Sequence, residues 1–307
     1  FRFWVARQEV VLLGCAWLCY RTAATRERGV CLAALWLAYT PYYLEIYLGQ
    51  FSVVQAALIL VALLAAKRPA WRLRGDVAWA ASLLWKQNTG LWLPVYLRLR
   101  RWRALAATGA AVALFSLPYF AAMPGSLSAF LGNFAAGPPD HQLGNLGARQ
   151  LLYSISSALW PRLPPAGHQV VQQVWLVVVL AISLWATFRP SPVDAVGLLC
   201  LWLAAYFSIY HHVWEHHYVL LLPVWAVLLG RHPSRYLVVL YVLVACWTPY
   251  ILLDPRGWAA YHAPMRWTPL EPRVLDVLYH ASKALPAVLL WLHLVVQALR
   301  LPREAHS

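Results

Sequence analysis

The stretch GQFSVVQAALILVALLAAKRPAWRLR, residues 49–74, decides the architecture of the chain. After Gln50 and Ser52 the sequence runs apolar to Ala66 with Gln55 as its one strongly polar side chain, and then closes on Lys67, Arg68, Arg72 and Arg74. Apolar runs of roughly 15 to 20 residues, ended by basic residues, recur along the chain and fit membrane helices; barrel strands would be about ten residues long and alternate in polarity. The composition agrees. Hydrophobic residues make up 62% of the 307 and charged ones only 12%, about half of the 25% usual in soluble proteins. The chain reads as an all-α, polytopic transmembrane helical bundle forming a single domain over residues 1–307.

A net charge of +14 could point to nucleic acid, but the basic residues lie in short clusters between apolar runs, so no nucleic-acid partner is expected. The clusters are Arg21, Arg26 and Arg28; Lys67 to Arg74; Arg98, Arg100, Arg101 and Arg103; Arg189; Arg231 and Arg235; and Arg300 and Arg303. The positive-inside rule puts all six in the cytoplasm. Parity then gives about nine crossings, in a cell inner membrane or plasma membrane. Residues 76–97 begin and end beside cytoplasmic clusters and carry WKQNTG at their centre. They read as a re-entrant pair of half-helices with its tip at Lys86 to Gly90, or else as a loop. The outer face receives residues 42–50, a long loop from Pro124 to about Gln169, the cluster around His211 to His217, and a loop from Leu253 to about Arg273. Within the first long loop, LGARQLLYSISSALW reads as a short amphipathic helix. The five cysteines are expected to pack rather than pair, and FRFWVARQEVVLL lacks the features of a signal peptide, so the natural N-terminus is expected to precede Phe1.

Ionisable groups inside or at the rim of a membrane are costly unless they serve a site. SIYHHVWEHHYVLL, residues 208–221, gathers His211, His212, Glu215, His216 and His217. Its HVWEH segment matches the H-x-x-E-H pattern of inverted zincins, but no third ligand is evident and no metal is expected. The remaining alternatives are interfacial anchoring and a site for an anionic head group, to whose phosphate oxygens imidazoles can donate. Lys86 offers a compact charge to the same kind of ligand, or snorkels. Asn88 shares its tip. On the outer side stand Glu45, Gly49 and Gln50, then Asp140, His141, Gln142, Asn145 and Arg149. Asp76 and Asp194 read as helix N-caps, and Lys283, Asp254 and Arg256 as surface charges.

Three segments, YLGQFSVVQAALILVALLA, LLWKQNTGLWLPVYLRLRRWRA and WEHHYVLLLPVWAVLL, together resemble glycosyltransferase family 87, enzymes of the GT-C fold that are polyprenol-phosphate-sugar-dependent and mannosyltransferase-like. The resemblance implies transfer of a mannose-like sugar or a pentose from a polyprenyl-phosphate carrier to a glycolipid or glycan acceptor at the outer face, without a cofactor. It places Gly49 and Gln50 on the family's Gly-Gln pair, Lys86 on its intramembrane lysine, and His216 and His217 on its paired histidines. On this basis His216, His217 and Glu215 are the catalytic candidates, Glu215 as the group that orients a histidine. Lys86, Gln50 and Arg149 would bind donor phosphate, and Glu45, Asn88 and Asn145 would line the acceptor pocket. The family's Asn-Gln-Ser motif survives here only as Asn145 followed by Arg149, and its general-base carboxylate is expected ahead of Phe1, which would leave this chain alone inactive. A polyprenyl-diphosphate-linked polysaccharide ligase or polymerase and a lipid-linked sugar transporter are the competing functions.

Overall fold

The computed structural model describes residues 2–135, 143–190, 193–248, 270 and 272–300. These form helices and turns, with no strand among the described residues. In chain order the helices are α1 (Arg2–Thr22), α2 (Arg26–Leu37), α3 (Thr40–Tyr47), α4 (Ser52–Ala65), α5 (Arg72–Trp85), α6 (Leu93–Arg98) and α7 (Trp102–Ala122). They continue as α8 (Ser126–Ala135), α9 (Ala148–Leu159), α10 (Pro165–Phe188), α11 (Ala195–Ile209), α12 (Leu222–Arg231), α13 (Arg235–Ala245) and α14 (Arg273–Leu299). Three of them, α7, α10 and α14, are long and apolar enough to cross a membrane by length and composition. At about 1.5 Å per residue each exceeds a hydrocarbon core of roughly 30 Å. Helices α4, α11 and α13 are apolar but shorter.

Local chemistry explains several boundaries. The Thr25 hydroxyl accepts the Arg28 N–H at the start of α2, and Ser234 does the same for Leu237 at the start of α13. Asp194 caps α11 through Gly197 N–H at 2.9 Å, as the sequence predicts. Asp76 does not cap. It lies inside α5, and its carboxylate takes the Arg101 guanidinium at 2.7 Å, tying α5 to the turn before α7. The apolar run from Val30 to Tyr43 is also interrupted: α2 stops at Leu37, and Pro41 starts α3 afresh, since proline suits the first turn of a helix.

In a bilayer, lipid tails are as apolar as leucine, so helices associate through close packing and through hydrogen bonds. Both devices are present. Helix α4 lies against α5, where a Cβ on Gly75 would stand 2.9 Å from the Ala65 Cβ, so only glycine allows this approach. Buried tryptophans spend their ring N–H groups between helices: Trp92 on Leu199 O at 3.0 Å, Trp202 on Thr187 Oγ1 at 2.9 Å and Trp291 on Ser183 Oγ at 3.0 Å. Helix α14 packs on α9 and α11. By contrast α7 turns most of its surface outward, with Leu114 and Phe115 each 69% exposed, as a lipid-facing helix would.

Within the long segment from Pro124 to Gln169 the described residues include α8, α9 and the first turn of α10, where a loop was expected. Helix α9 is the amphipathic helix expected there, and it buries Ala148, Leu151 and Ser154 against its neighbours. Lys283 is no surface charge. It is 1% exposed, donates to the carbonyls of Val244 and Cys246, and stands 3.6 Å from Glu215 Oε1. The expectations for Asp140, His141, Gln142, Asp254, Arg256, Arg303 and the loop from Leu253 fall outside the described residues.

Candidate active site

Lys86 stands where α5 stops. Its backbone is extended, at φ −151° and ψ 137°, and a 3-10 turn over Gln87–Trp92 follows before α6. Such a break exposes backbone polar groups that lipid cannot satisfy. Here side chains satisfy them. Gln55 Nε2 donates to Lys86 O at 2.8 Å and Trp79 Nε1 to Thr89 O at 3.0 Å, while the Ser82 and Thr89 hydroxyls lie 3.1 Å apart. Gln55, an amide in an otherwise apolar run, could have been singled out from the sequence on that ground alone.

The Lys86 ammonium donates to Ser52 Oγ at 2.7 Å and lies 5.7 Å from the Phe51 ring centroid. An ammonium has three donors, and Ser52 takes one. Glu45, fully buried, accepts the Val53 N–H on Oε1 at 2.7 Å and so caps the first turn of α4 from α3, while its Oε2 has no hydrogen-bond partner among the described residues. Gly49, at φ +68°, makes this approach possible by adopting the left-handed conformation that ends α3, with Gln50 N–H returning to Glu45 O at 3.0 Å. Gln50 contributes its carbonyl, which accepts Gln8 Nε2 at 2.8 Å. Its side-chain amide makes no hydrogen bond among the described residues. Asn88 is half-buried on the 3-10 turn beyond Lys86.

The histidine cluster meets these residues from the other half of the chain, because the 3-10 turn Glu215–Leu221 packs on α3 and α4. The H-x-x-E-H pattern needs two histidines one helical turn apart on a single helix. Residues 211–214 are not helical, so His212 and His216 do not share a helix face. The Trp214 N–H donates to His217 Nδ1 at 3.3 Å, which puts the proton of the neutral ring on Nε2. His216 packs edge-on against it, at 4.4 Å between centroids, with Nδ1 buried and without a partner among the described residues. Burial pushes the His216 imidazole down to about 4, and the Lys86 charge adds to the effect. His217 is held well below its ordinary range, chiefly by burial and then by His216 and Lys86. Both rings are therefore neutral hydrogen-bonding groups at pH 7. Glu215 is engaged elsewhere: Oε1 accepts the Thr248 N–H at 3.2 Å and faces Lys283.

Asn145 and Arg149 occupy the far side of the histidines. Asn145 Nδ2 donates to His211 O, and its Oδ1 accepts the N–H groups of Gly147 and Val213 at 3.2 and 3.0 Å. Asn145 is thus a brace between the entry to α9 and the histidine segment. Replacing it with alanine strands two buried N–H groups, at about 1–3 kcal/mol each. Thermal unfolding in detergent should show a clear fall in midpoint for Asn145→Ala and a smaller one for Asn145→Asp, which keeps the acceptor.

These features define a helical membrane protein in which polar side chains of α3, α4 and the break after α5 lie close to the histidine-bearing turn from the other half of the chain. The family model of glycosyltransferase family 87 matches residues 1–211. The chain belongs to glycosyltransferase family 87 and is a glycosyltransferase. The match includes Gly49, Gln50, Lys86 and Arg149 and stops short of His216 and His217. No curated protein and no solved structure matches the chain.

Proposed function

We propose that this glycosyltransferase is of the GT-C type and moves a mannose-like sugar or a pentose from a polyprenyl-phosphate carrier to a glycolipid or glycan acceptor at the outer membrane face. The observation that supports the reading is Lys86, whose ammonium donates to Ser52 alone among the described residues, at a break held by α4, with α4 packed on the turn that carries the two neutral imidazoles. When the bond between the anomeric carbon and the phosphate oxygen breaks, that oxygen stays with the phosphate, which gains a negative charge. The anomeric carbon bonds to the acceptor oxygen, whose proton passes to a carboxylate acting as general base. Donors already placed on the leaving phosphate stabilise the transition state more than the ground state. Lys86 and the Nε2–H of His217 fill that role, and His216 Nδ1 offers a further polar contact. Glu45 holds the start of α4, and with it Ser52, against the ammonium.

The donor class is the test. Membranes containing the full-length protein should transfer sugar from a polyprenyl-monophosphate donor and not from a polyprenyl-diphosphate or nucleotide donor carrying the same sugar. Transfer from the diphosphate donor alone would replace this reading with that of a ligase or polymerase.

A further inference from the structure

Arg149 is 8% exposed and lies in the first turn of α9, whose position relative to α10 is fixed by Gln172 Nε2 donating to Arg149 O at 3.1 Å. Its guanidinium makes no hydrogen bond and no ion pair with any described residue, and Nε is sealed from solvent without a partner. A buried cation is costly to keep unless something pairs with it. Three groups surround the question of what does. His211 is near enough for the Arg149 charge, after burial and His212, to contribute to a lowered imidazole pKa of about 4. His212 carries a buried Nε2 with no partner among the described residues, and its ring is 4.8 Å from that of His211. Asn145 locks this histidine segment to the residues just ahead of Arg149, so their spacing is built in rather than left to loop motion. Lys86 acts on His216 and His217, and Arg149 on His211. The rings pair as His211 with His212 and His216 with His217, at 4.8 and 4.4 Å between centroids.

We propose that Arg149, His211 and His212 form a second oxyanion subsite, separate from Lys86, that takes a phosphate or carboxylate group of the acceptor. The subsite extends the reading of Lys86 as the donor-phosphate ligand, on which it rests for the acceptor's identity. It supplies what the burial of Arg149 requires: a guanidinium fork can pair with two oxygens of one oxyanion, and neutral imidazoles donate to the same group. An acceptor with a negative group would supply the Arg149 guanidinium with a partner that no described residue provides.

Dodecyl phosphate, titrated calorimetrically into the detergent-solubilised full-length protein, separates the two sites. Wild type should bind two molecules per chain; Arg149→Gln and Lys86→Ala should each bind one, and Arg149→Lys should retain two. Loss of an ionic hydrogen-bonding partner corresponds to a weakening of about tenfold or more at the affected site. Two sites persisting in Arg149→Gln, or both vanishing from a variant with an unchanged melting temperature, overturns the proposal. Should Lys86→Ala leave both sites intact, the donor-site reading fails while the Arg149 subsite stands. In transfer assays Arg149→Gln should raise the KM for an anionic acceptor about tenfold and leave that for the donor unchanged. An effect confined to the donor KM would overturn the assignment to the acceptor.

Discussion

Lys86→Ala is expected to lower the rate of sugar transfer by about 100- to 1,000-fold, the loss seen when one preorganised donor to a developing oxyanion is removed. The protein should remain folded. What holds the break after α5 is the backbone of Lys86, through its N–H on Ser82 O at 3.0 Å and its carbonyl on Gln55, and alanine keeps both. The fall should therefore appear in kcat, with the melting temperature nearly unchanged. Lys86→Arg should recover only part of the activity, because a planar guanidinium does not fit the place of a compact ammonium donating to Ser52 Oγ. Near-wild-type turnover in Lys86→Ala would remove this residue from the reaction and with it the main support for a donor phosphate at this position.

Lys283→Ala is expected to have the largest effect on stability. The ammonium is buried in α14, where it serves the carbonyls of Val244 and Cys246 at the end of α13 and faces Glu215. Removing it takes away a cation 3.6 Å from the Glu215 carboxylate, which is 3% exposed. Breaking a buried ion pair from one side costs about 3–5 kcal/mol. Pairing Lys283→Ala with Glu215→Ala should cost less than the sum of the two single changes, since the second no longer strands a charge; coupling of about 0.5–3 kcal/mol is the usual range for residues in contact. Midpoints of thermal unfolding in detergent for the four proteins measure this. Additive shifts would show that the two side chains are neighbours without energetic dependence. The pair also bears on the histidines. Glu215 is followed directly by His216 and His217, so a carboxylate anchored on α14 fixes where the 3-10 turn begins and hence where both rings stand.

Much of the site was legible one residue at a time. Lys86 stood out as a lysine inside an apolar segment, and the histidines as titratable groups between apolar runs; cost alone marks such residues. Glu45 and Gln50 were marked by their neighbour Gly49, which lets the end of α3 fold back onto the start of α4. Their roles were less legible. Gln50 acts through its carbonyl, a group every residue carries, and Asn145 spends its amide bracing backbone 66 residues away at His211. Ser52, which takes the Lys86 ammonium, became visible only when α4 met the break after α5; Gln55, which donates to the Lys86 carbonyl, was marked in the sequence as an amide in an apolar run, but its partner was not. Lys283 and Asp76 were misread because a charge near a helix end looks the same in sequence whether solvent or a distant helix receives it.

The sequence by itself determined the solvent: long apolar runs closed by basic clusters are stable only across a bilayer, whatever their mutual arrangement, because each helix satisfies its own backbone. It also determined where those helices must stop, through proline, glycine and capping side chains. The tertiary structure alone decided the pairings, namely Lys283 with Glu215, Asp76 with Arg101, and Asn145, four residues ahead of Arg149, with the backbone of His211. These depend on which helices lie together, and that is settled by the fit of many small contacts between segments far apart in the chain, which no local pattern encodes.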